Sequence, residues 1–253
     1  MSVSHPLPPS EFDPLLPLAG RQATVSMPFG WRGYMPEFHG IKITRGQESA
    51  RHAYRRALEK AVRLKSKGTK WRSSQGVLFQ EYDGWLMAVQ PLVYIYEPIT
   101  KARVSLKPMS IDPVFWDLVG LPENKSTPLS FRYFGAWTCH PPEVAELDIP
   151  EHEAVDLVAT ELLRIAEQQL EAFSGWSLND FLQLCKKRGG SPDSYLACVI
   201  STLIAMGREL EAFEACMAAQ QAGSDGGFLG PEGSFVEMAT RRLEQTIAAS
   251  TRH

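Results

Sequence analysis

The chain has 253 residues, enough for one large domain or two small ones with a hydrophobic core. Its apolar fraction of 44% and charged fraction of 22% are those of an ordinary globular protein, and its formal net charge of -3 selects no class of partner. No stretch approaches the roughly 18 apolar residues of a membrane span. We expect no signal peptide and no disulfide framework, because the first residues lack a basic and then apolar run and the four cysteines lack CxxC spacing. The composition predicts a cytoplasmic protein with buried free thiols.

The first 45 residues are rich in proline, glycine and aromatic residues, a mixture that disfavours helix. We interpret residues 1–45 as an extended arm that packs on the body of the protein, with short strands over Ala23–Met27 and Gly40–Thr44. Small and apolar residues then recur every three or four positions and predict a helix over Gln47–Lys67, which Gly68 ends.

Residues 71–139 carry the strand signals. Aromatic and alternating apolar residues predict strands over Trp71–Tyr82, Trp85–Tyr96, Arg103–Lys107 and Leu129–Cys139, and the Asp83-Gly84 dipeptide suits a tight hairpin turn. Four strands with short or modest links indicate an antiparallel sheet that is half covered by helices.

Between the third and fourth predicted strands, residues 107–122 combine proline, glycine, aromatic and charged residues. Asp112-Pro113 predicts the start of a short helix, with Asp112 as its N-cap and Pro113 at its first position. We expect this helix to fold back onto the sheet and close its end.

From residue 150 onward the apolar spacing is helical, and glycine pairs or polar turns separate the segments. The predicted helices are Glu151–Phe173, Leu178–Lys187, Tyr195–Ala205, Leu210–Ala222 and Ser234–Ala249. The expected fold is therefore α+β. An α+β sheet region over residues 46–142 follows the arm, and a helical region over residues 143–253 packs on the sheet as one domain.

Three patterns contain residues that could carry chemistry. Cys139-His140 is disfavoured as a nucleophile and base, because neighbours on a strand point to opposite faces. His152 and Asp156 lie one helical turn apart, but a metal site needs three or four ligands. The glycine-rich segment 226–233 lacks the Lys-Ser/Thr of a phosphate loop and follows a helix. We therefore expect no enzyme activity, no metal and no cofactor.

The basic helix offers a possible nucleic-acid surface. Eight basic residues lie between positions 51 and 70, followed by Trp71-Arg72, so that cations could bind phosphates while the indole stacks on bases. The slightly acidic chain and the spread of the cations over several helix faces disfavour this hypothesis, which ranks third.

An arrangement of aromatic, glycine and proline landmarks over residues 47–140 resembles small bacterial α+β proteins encoded beside polymorphic or secreted toxins, many of which are immunity proteins. The segments that carry it are Phe79–Trp85, Lys107–Met109, Asp112-Pro113, Phe115-Trp116, Ser130–Arg132 and Gly135-Ala136. The resemblance implies a non-enzymatic immunity protein that neutralises a cognate toxin, such as a type VI secretion effector, by occluding its active site.

Leu203–Phe213 is similar to the turn of a tetratricopeptide helical pair, in which small residues let two helices pack closely. A single such unit forms no solenoid, so we place it in the C-terminal bundle. This likeness supports the alternative function, an intracellular adaptor or secretion chaperone that uses the helical half.

Charge suggests where a toxin would bind. A toxin that acts on an anionic substrate has a basic cleft, and nine acids against one arginine lie between Glu143 and Ser174. The residues predicted to bind the partner are first Glu151, Glu153 and Asp156, and next Asp112, Trp116 and Glu123.

Overall fold

The computed structural model describes residues 44–94, 99–152, 154–187, 195–230 and 232–250. The predicted arm lies outside these ranges up to residue 43, together with its two short strands except for Thr44. Helix α1, Arg45–Lys65, begins two residues before the predicted start. The Thr44 hydroxyl accepts from the Gln47 amide while the Gln47 side chain accepts from the Thr44 amide, a capping box that fixes the first turn.

Five antiparallel strands form one sheet in chain order. They are β1 (Arg72–Ser74), β2 (Val77–Tyr82), β3 (Trp85–Val93), β4 (Ile99–Pro108) and β5 (Glu143–Pro150). The Asp83-Gly84 turn joins β2 to β3 as predicted, with both residues at positive φ. A second turn of the same kind at Gln75-Gly76 divides the first predicted strand into β1 and β2. The α+β fold with an antiparallel sheet is confirmed.

The strand predicted over Leu129–Cys139 is wrong. This segment holds the short helix α3, Phe131–Phe134, followed by turns. Leu129 and Tyr133 pack together on one face of the sheet, so the spacing that matters there is four residues and not two. The strand beside β4 is instead β5, which lies in the region that the sequence had assigned to helix.

One face of the sheet is covered by two helices, α1 and α4 (Val155–Ala172), which share a buried apolar core with the strands. The core residues of the strands alternate along the chain, as a half-covered sheet requires. They are Leu78, Met87, Val89, Ala102, Val104, Leu106 and Ile149.

A second core lies among the remaining helices. These are α2 (Ile111–Leu118), α5 (Leu178–Lys187), α6 (Leu196–Ala205), α7 (Glu209–Gln221) and α8 (Phe235–Ser250), with a 3-10 turn at Pro122–Ser126 and a small hairpin of β6 (Leu229–Gly230) and β7 (Gly233–Ser234). The predicted C-terminal helices are thus confirmed to within a few residues. Phe115 of α2 stacks on Phe235 of α8 with ring centroids 5.4 Å apart, and both are fully buried.

These contacts cross the boundary that the sequence placed between residues 142 and 143. Strand β5 belongs to the sheet, whereas helix α2 packs into the core of the C-terminal helices. The sheet region and the helical region are therefore interleaved along the chain.

Candidate binding surfaces

Lys107 and Asp112 form a buried ion pair, with neither side chain exposed to solvent. Lys107 Nζ lies 2.8 Å from Asp112 Oδ1 and 2.8 Å from the carbonyl oxygen of Cys139, and it also donates to the carbonyl of Arg132. Three acceptors match the three protons of an ammonium group. The prediction of Asp112 as an N-cap and a partner-binding residue is wrong, because Ser110 precedes the helix and Asp112 faces inward.

Trp116 is also fully buried. Its Nε1 donates to the carbonyl of Trp137 at 2.6 Å, and the guanidinium of Arg132 lies 5.0 Å from its ring centroid. The surface patch predicted around Trp116 therefore does not form. Glu123, in the 3-10 turn, is exposed.

Glu151 is paired with the basic helix. Arg51 Nη1 donates to Glu151 Oε2 at 2.5 Å and Nη2 to Oε1 at 2.6 Å, and Nε donates to the carbonyl of Tyr94 at 2.7 Å. The two side chains are only 17% and 12% exposed. This two-point ion pair ties α1 to the end of β5, so Glu151 is not a free surface acid as predicted.

In the C-terminal half of α4, the Glu167 carboxylate accepts a hydrogen bond from Trp71 Nε1 at 2.9 Å. Trp71 is 2% exposed, so its indole packs inside and cannot stack on bases as the nucleic-acid hypothesis required. Asp156 is exposed at the start of α4, and Glu153 lies outside the described residues.

The side chains that the sequence offered for catalysis or metal binding, Cys139, His140 and His152, are either buried or in contact with other parts of the protein. Cys139 is fully buried, and burial raises the pKa of its thiol well above the ordinary value. His140 stacks on Phe228 with ring centroids 6.5 Å apart. His152 Nδ1 accepts from the amide of Ala154 at 3.0 Å. Within the described ranges, no group of three or more His, Cys, Asp or Glu side chains is placed to hold a metal ion.

The open face of the sheet carries a charged cluster that the sequence did not predict. The sheet-face cluster consists of Lys101 and Arg103 on β4 with Glu143, Glu146 and Asp148 on β5. Lys101 Nζ lies 2.9 Å from Glu146 Oε1 and 3.8 Å from Asp148 Oδ1, and Arg103 Nε lies 2.9 Å from Glu143 Oε2. The charged side chains are thus held in place by one another.

Two tyrosines flank this cluster. The ring of Tyr94 lies 5.4 Å from Lys101 Nζ, and the Tyr133 hydroxyl is 3.2 Å from Gln90 Oε1. Burial, and then the nearby Glu146, raise the pKa of Tyr94, while the hydrogen bond that Lys101 donates to Glu146 raises the pKa of Lys101. Both groups keep their protons at neutral pH. The alternation of acids and apolar residues in β5 was the signal that could have revealed the cluster.

A second exposed feature is the basic surface, which consists of α1 cations and those of the segment that follows. Its members are Arg56, Lys60, Arg63, Lys65, Lys67, Lys70 and Arg72. All seven are exposed, and none lies within 4.0 Å of a carboxylate in the described part of the chain. By contrast, Arg55 of the same helix is paired with Glu59 at 3.1 Å.

Comparison of the chain with protein-family models, with curated proteins and with solved structures gives no match. Among the helices of the described residues, none has the length and apolar character needed to cross a membrane.

Proposed function

We propose that this chain is a non-enzymatic protein-binding protein, and specifically an immunity protein that occludes the active site of a cognate bacterial toxin. The observation that carries the proposal is the sheet-face cluster. It presents charged side chains from the neighbouring strands β4 and β5 on the face opposite helices α1 and α4, with Tyr94 and Tyr133 beside them.

A fixed surface of this kind binds with little loss of side-chain freedom. Ion pairs on two adjacent strands already hold Lys101, Arg103 and Glu146 in position, so fewer side chains must be ordered on association. Arginine and tyrosine are also enriched at protein interfaces, where they supply most of the binding energy. Both residue types are present here.

The charge of the cluster supports a basic partner. Three carboxylates face two cations, and the side chain of Asp148 is 65% exposed. A toxin that acts on an anionic substrate has a basic cleft, to which this surface is complementary. This surface replaces the one predicted around Glu151, whereas Asp156 and Glu123 remain exposed acids that a toxin could also contact.

The test uses the product of the neighbouring open reading frame. The purified chain should bind that product and suppress its toxicity, and Asp148→Lys should slow association at low salt by about tenfold or more. Glu244→Lys, an exposed charge reversal on α8, is the matched control and should leave the rate unchanged.

Two results would contradict the proposal. One is equal association rates for both variants, which would remove the sheet face from the interface. The other is a non-toxic partner whose secretion depends on this chain, which would favour the adaptor or chaperone alternative.

A further inference from the structure

The seven cations of the basic surface are concentrated in a short part of the chain. No acidic residue lies between Glu59 and Glu81, although the whole chain has a net charge of -3. The slight overall acidity therefore conceals a local excess of positive charge, which gives this part of the chain a positive field. A field of this kind acts on partners over about one Debye length, roughly 8 Å at physiological salt.

Three of the four helical members, Arg56, Lys60 and Arg63, share one face of α1 and form what we call the stripe, whereas Lys65 lies about half a turn away from them. At 3.6 residues per turn, Lys60 and Arg63 lie within about 40° of Arg56 around the helix axis. The buried residues Leu58 and Val62 lie on the opposite side of α1. The stripe is about 10 Å long. The spread of cations that disfavoured nucleic acid in the sequence includes Arg51 and Arg55, which the structure pairs with acids.

Repulsion within this stripe disfavours the helix. Arg56 and Lys60 are four residues apart and Lys60 and Arg63 three apart, and like charges at these spacings repel each other. The helix dipole favours cations only in the last turn, where Arg63 and Lys65 lie. Because Arg56 and Lys60 have no carboxylate partner among the described residues, an external anion is a suitable ligand for them.

We propose that the basic surface binds the phosphate backbone of a nucleic-acid duplex. A duplex presents closely spaced phosphates that several cations can neutralise together, without base contacts. Binding of single strands depends instead on aromatic stacking, and Trp71, the only aromatic residue between Arg55 and Gly76, is buried.

An acidic protein fits the basic surface less well. Protein interfaces rely on apolar or aromatic anchors at their centre. Among the described residues of α1, the large apolar side chain exposed beside the stripe is Leu64, at 48%. A surface of cations with so little apolar area is typical of phosphate binding.

The direct test is fluorescence anisotropy with a labelled duplex of about 20 base pairs, in about 50 to 200 mM salt. The expected slope of log affinity against log salt is about -3 to -6, since each phosphate contact contributes about -0.9. The variant Arg56→Gln/Lys60→Gln/Arg63→Gln should bind the duplex at least about tenfold more weakly. It should also reduce the steepness of the salt dependence by about 2 to 3.

The matched control is Lys186→Gln/Lys187→Gln/Arg242→Gln, which removes three exposed cations elsewhere and should change affinity less than about twofold. Circular dichroism and thermal unfolding verify that both triple variants are folded. Equal losses in the two variants, or no binding of the duplex, would overturn the proposal.

Two further probes separate the partner classes. Tighter binding of a single strand of the same sequence would overturn the choice of a duplex. Binding of poly-glutamate without binding of the duplex would make the surface a docking site for an acidic protein. Toxin binding is expected to be unchanged in the stripe variant, so failure here leaves the immunity proposal to its own test.

Discussion

Two sets of cations in this protein have opposite surroundings. Lys107 and Arg51 are buried or nearly so, and each is held by a carboxylate and backbone carbonyl oxygens. Arg56, Lys60 and Arg63 are exposed and have no carboxylate partner within the described ranges. A charge that leaves water must be paired, whereas a charge on the surface need not be. The first set therefore belongs to the fold, and the second is available for a ligand.

The largest expected loss of stability comes from replacing Lys107, the fully buried cation. Lys107→Met leaves the Asp112 carboxylate buried, with Arg132 Nη1 at 3.4 Å as its remaining cation. Loss of one partner of a buried pair destabilises a protein by about 3–5 kcal/mol. Urea unfolding should show a loss of this size.

The matched control for this variant is Lys60→Met, the same substitution on the basic surface. It should change the free energy of unfolding by no more than about 0.5 kcal/mol. Similar losses in the two variants would mean that burial does not distinguish the two sets of cations.

A smaller loss is expected at the nearly buried ion pair of α1. Arg51→Met removes two hydrogen bonds to Glu151 and those to the carbonyl of Tyr94, and we expect a loss of about 2 kcal/mol. Arg56→Met, on the same helix, should stay within about 0.5 kcal/mol of the wild type. A double-mutant cycle with Glu151→Gln measures the coupling, and a coupling near zero would show that the pair contributes nothing.

The longer helices were predictable because apolar residues at helical spacing are visible in a single sequence. The error at Leu129–Cys139 arose because aromatic residues favour strands in general, while here Leu129 and Tyr133 use helical spacing to reach the sheet. Strand β5 was missed because its acids were interpreted as part of an acidic helix. Its apolar residues Ala145, Leu147 and Ile149 do alternate with Glu146 and Asp148.

The ion pairs were less accessible to sequence reasoning. Arg51 and Glu151 are 100 positions apart, and they meet only because α1 packs on the sheet next to the end of β5. Composition could assign a sign to each segment but not a partner to each charge. Lys107 did offer a signal, since it lies between Leu106 and Pro108 with Asp112 five positions later.

Cys216 is a buried ionisable group with no charged partner among the described residues, and it therefore stays neutral. Burial raises the pKa of the Cys216 thiol to about 11 from 9.0. Because the folded state holds this proton more tightly, its stabilising contribution is complete below pH 9 and is lost as the pH rises toward 11. At pH 10 the loss should be about 1 kcal/mol.

Comparison with Cys216→Ala isolates this effect from the titration of other groups. The wild type should lose about 1 kcal/mol more than the variant between about pH 8 and pH 10 in urea unfolding. If the two proteins lose stability equally, the thiol does not contribute to the alkaline slope.

The smallest expected change in stability comes from Lys60→Glu, which should affect stability and duplex binding in opposite directions. Lys60→Glu places a carboxylate four residues after Arg56 and three before Arg63, so repulsion is replaced by attraction. The free energy of unfolding should rise by about 0.3–0.5 kcal/mol, while affinity for the duplex falls. Lys60→Gln, which removes the repulsion without adding attraction, should lie between the wild type and Lys60→Glu in both measurements. A fold that is stabilised as its binding is weakened is expected if these cations serve a ligand. A variant that loses stability together with affinity would show instead that Lys60 supports the helix.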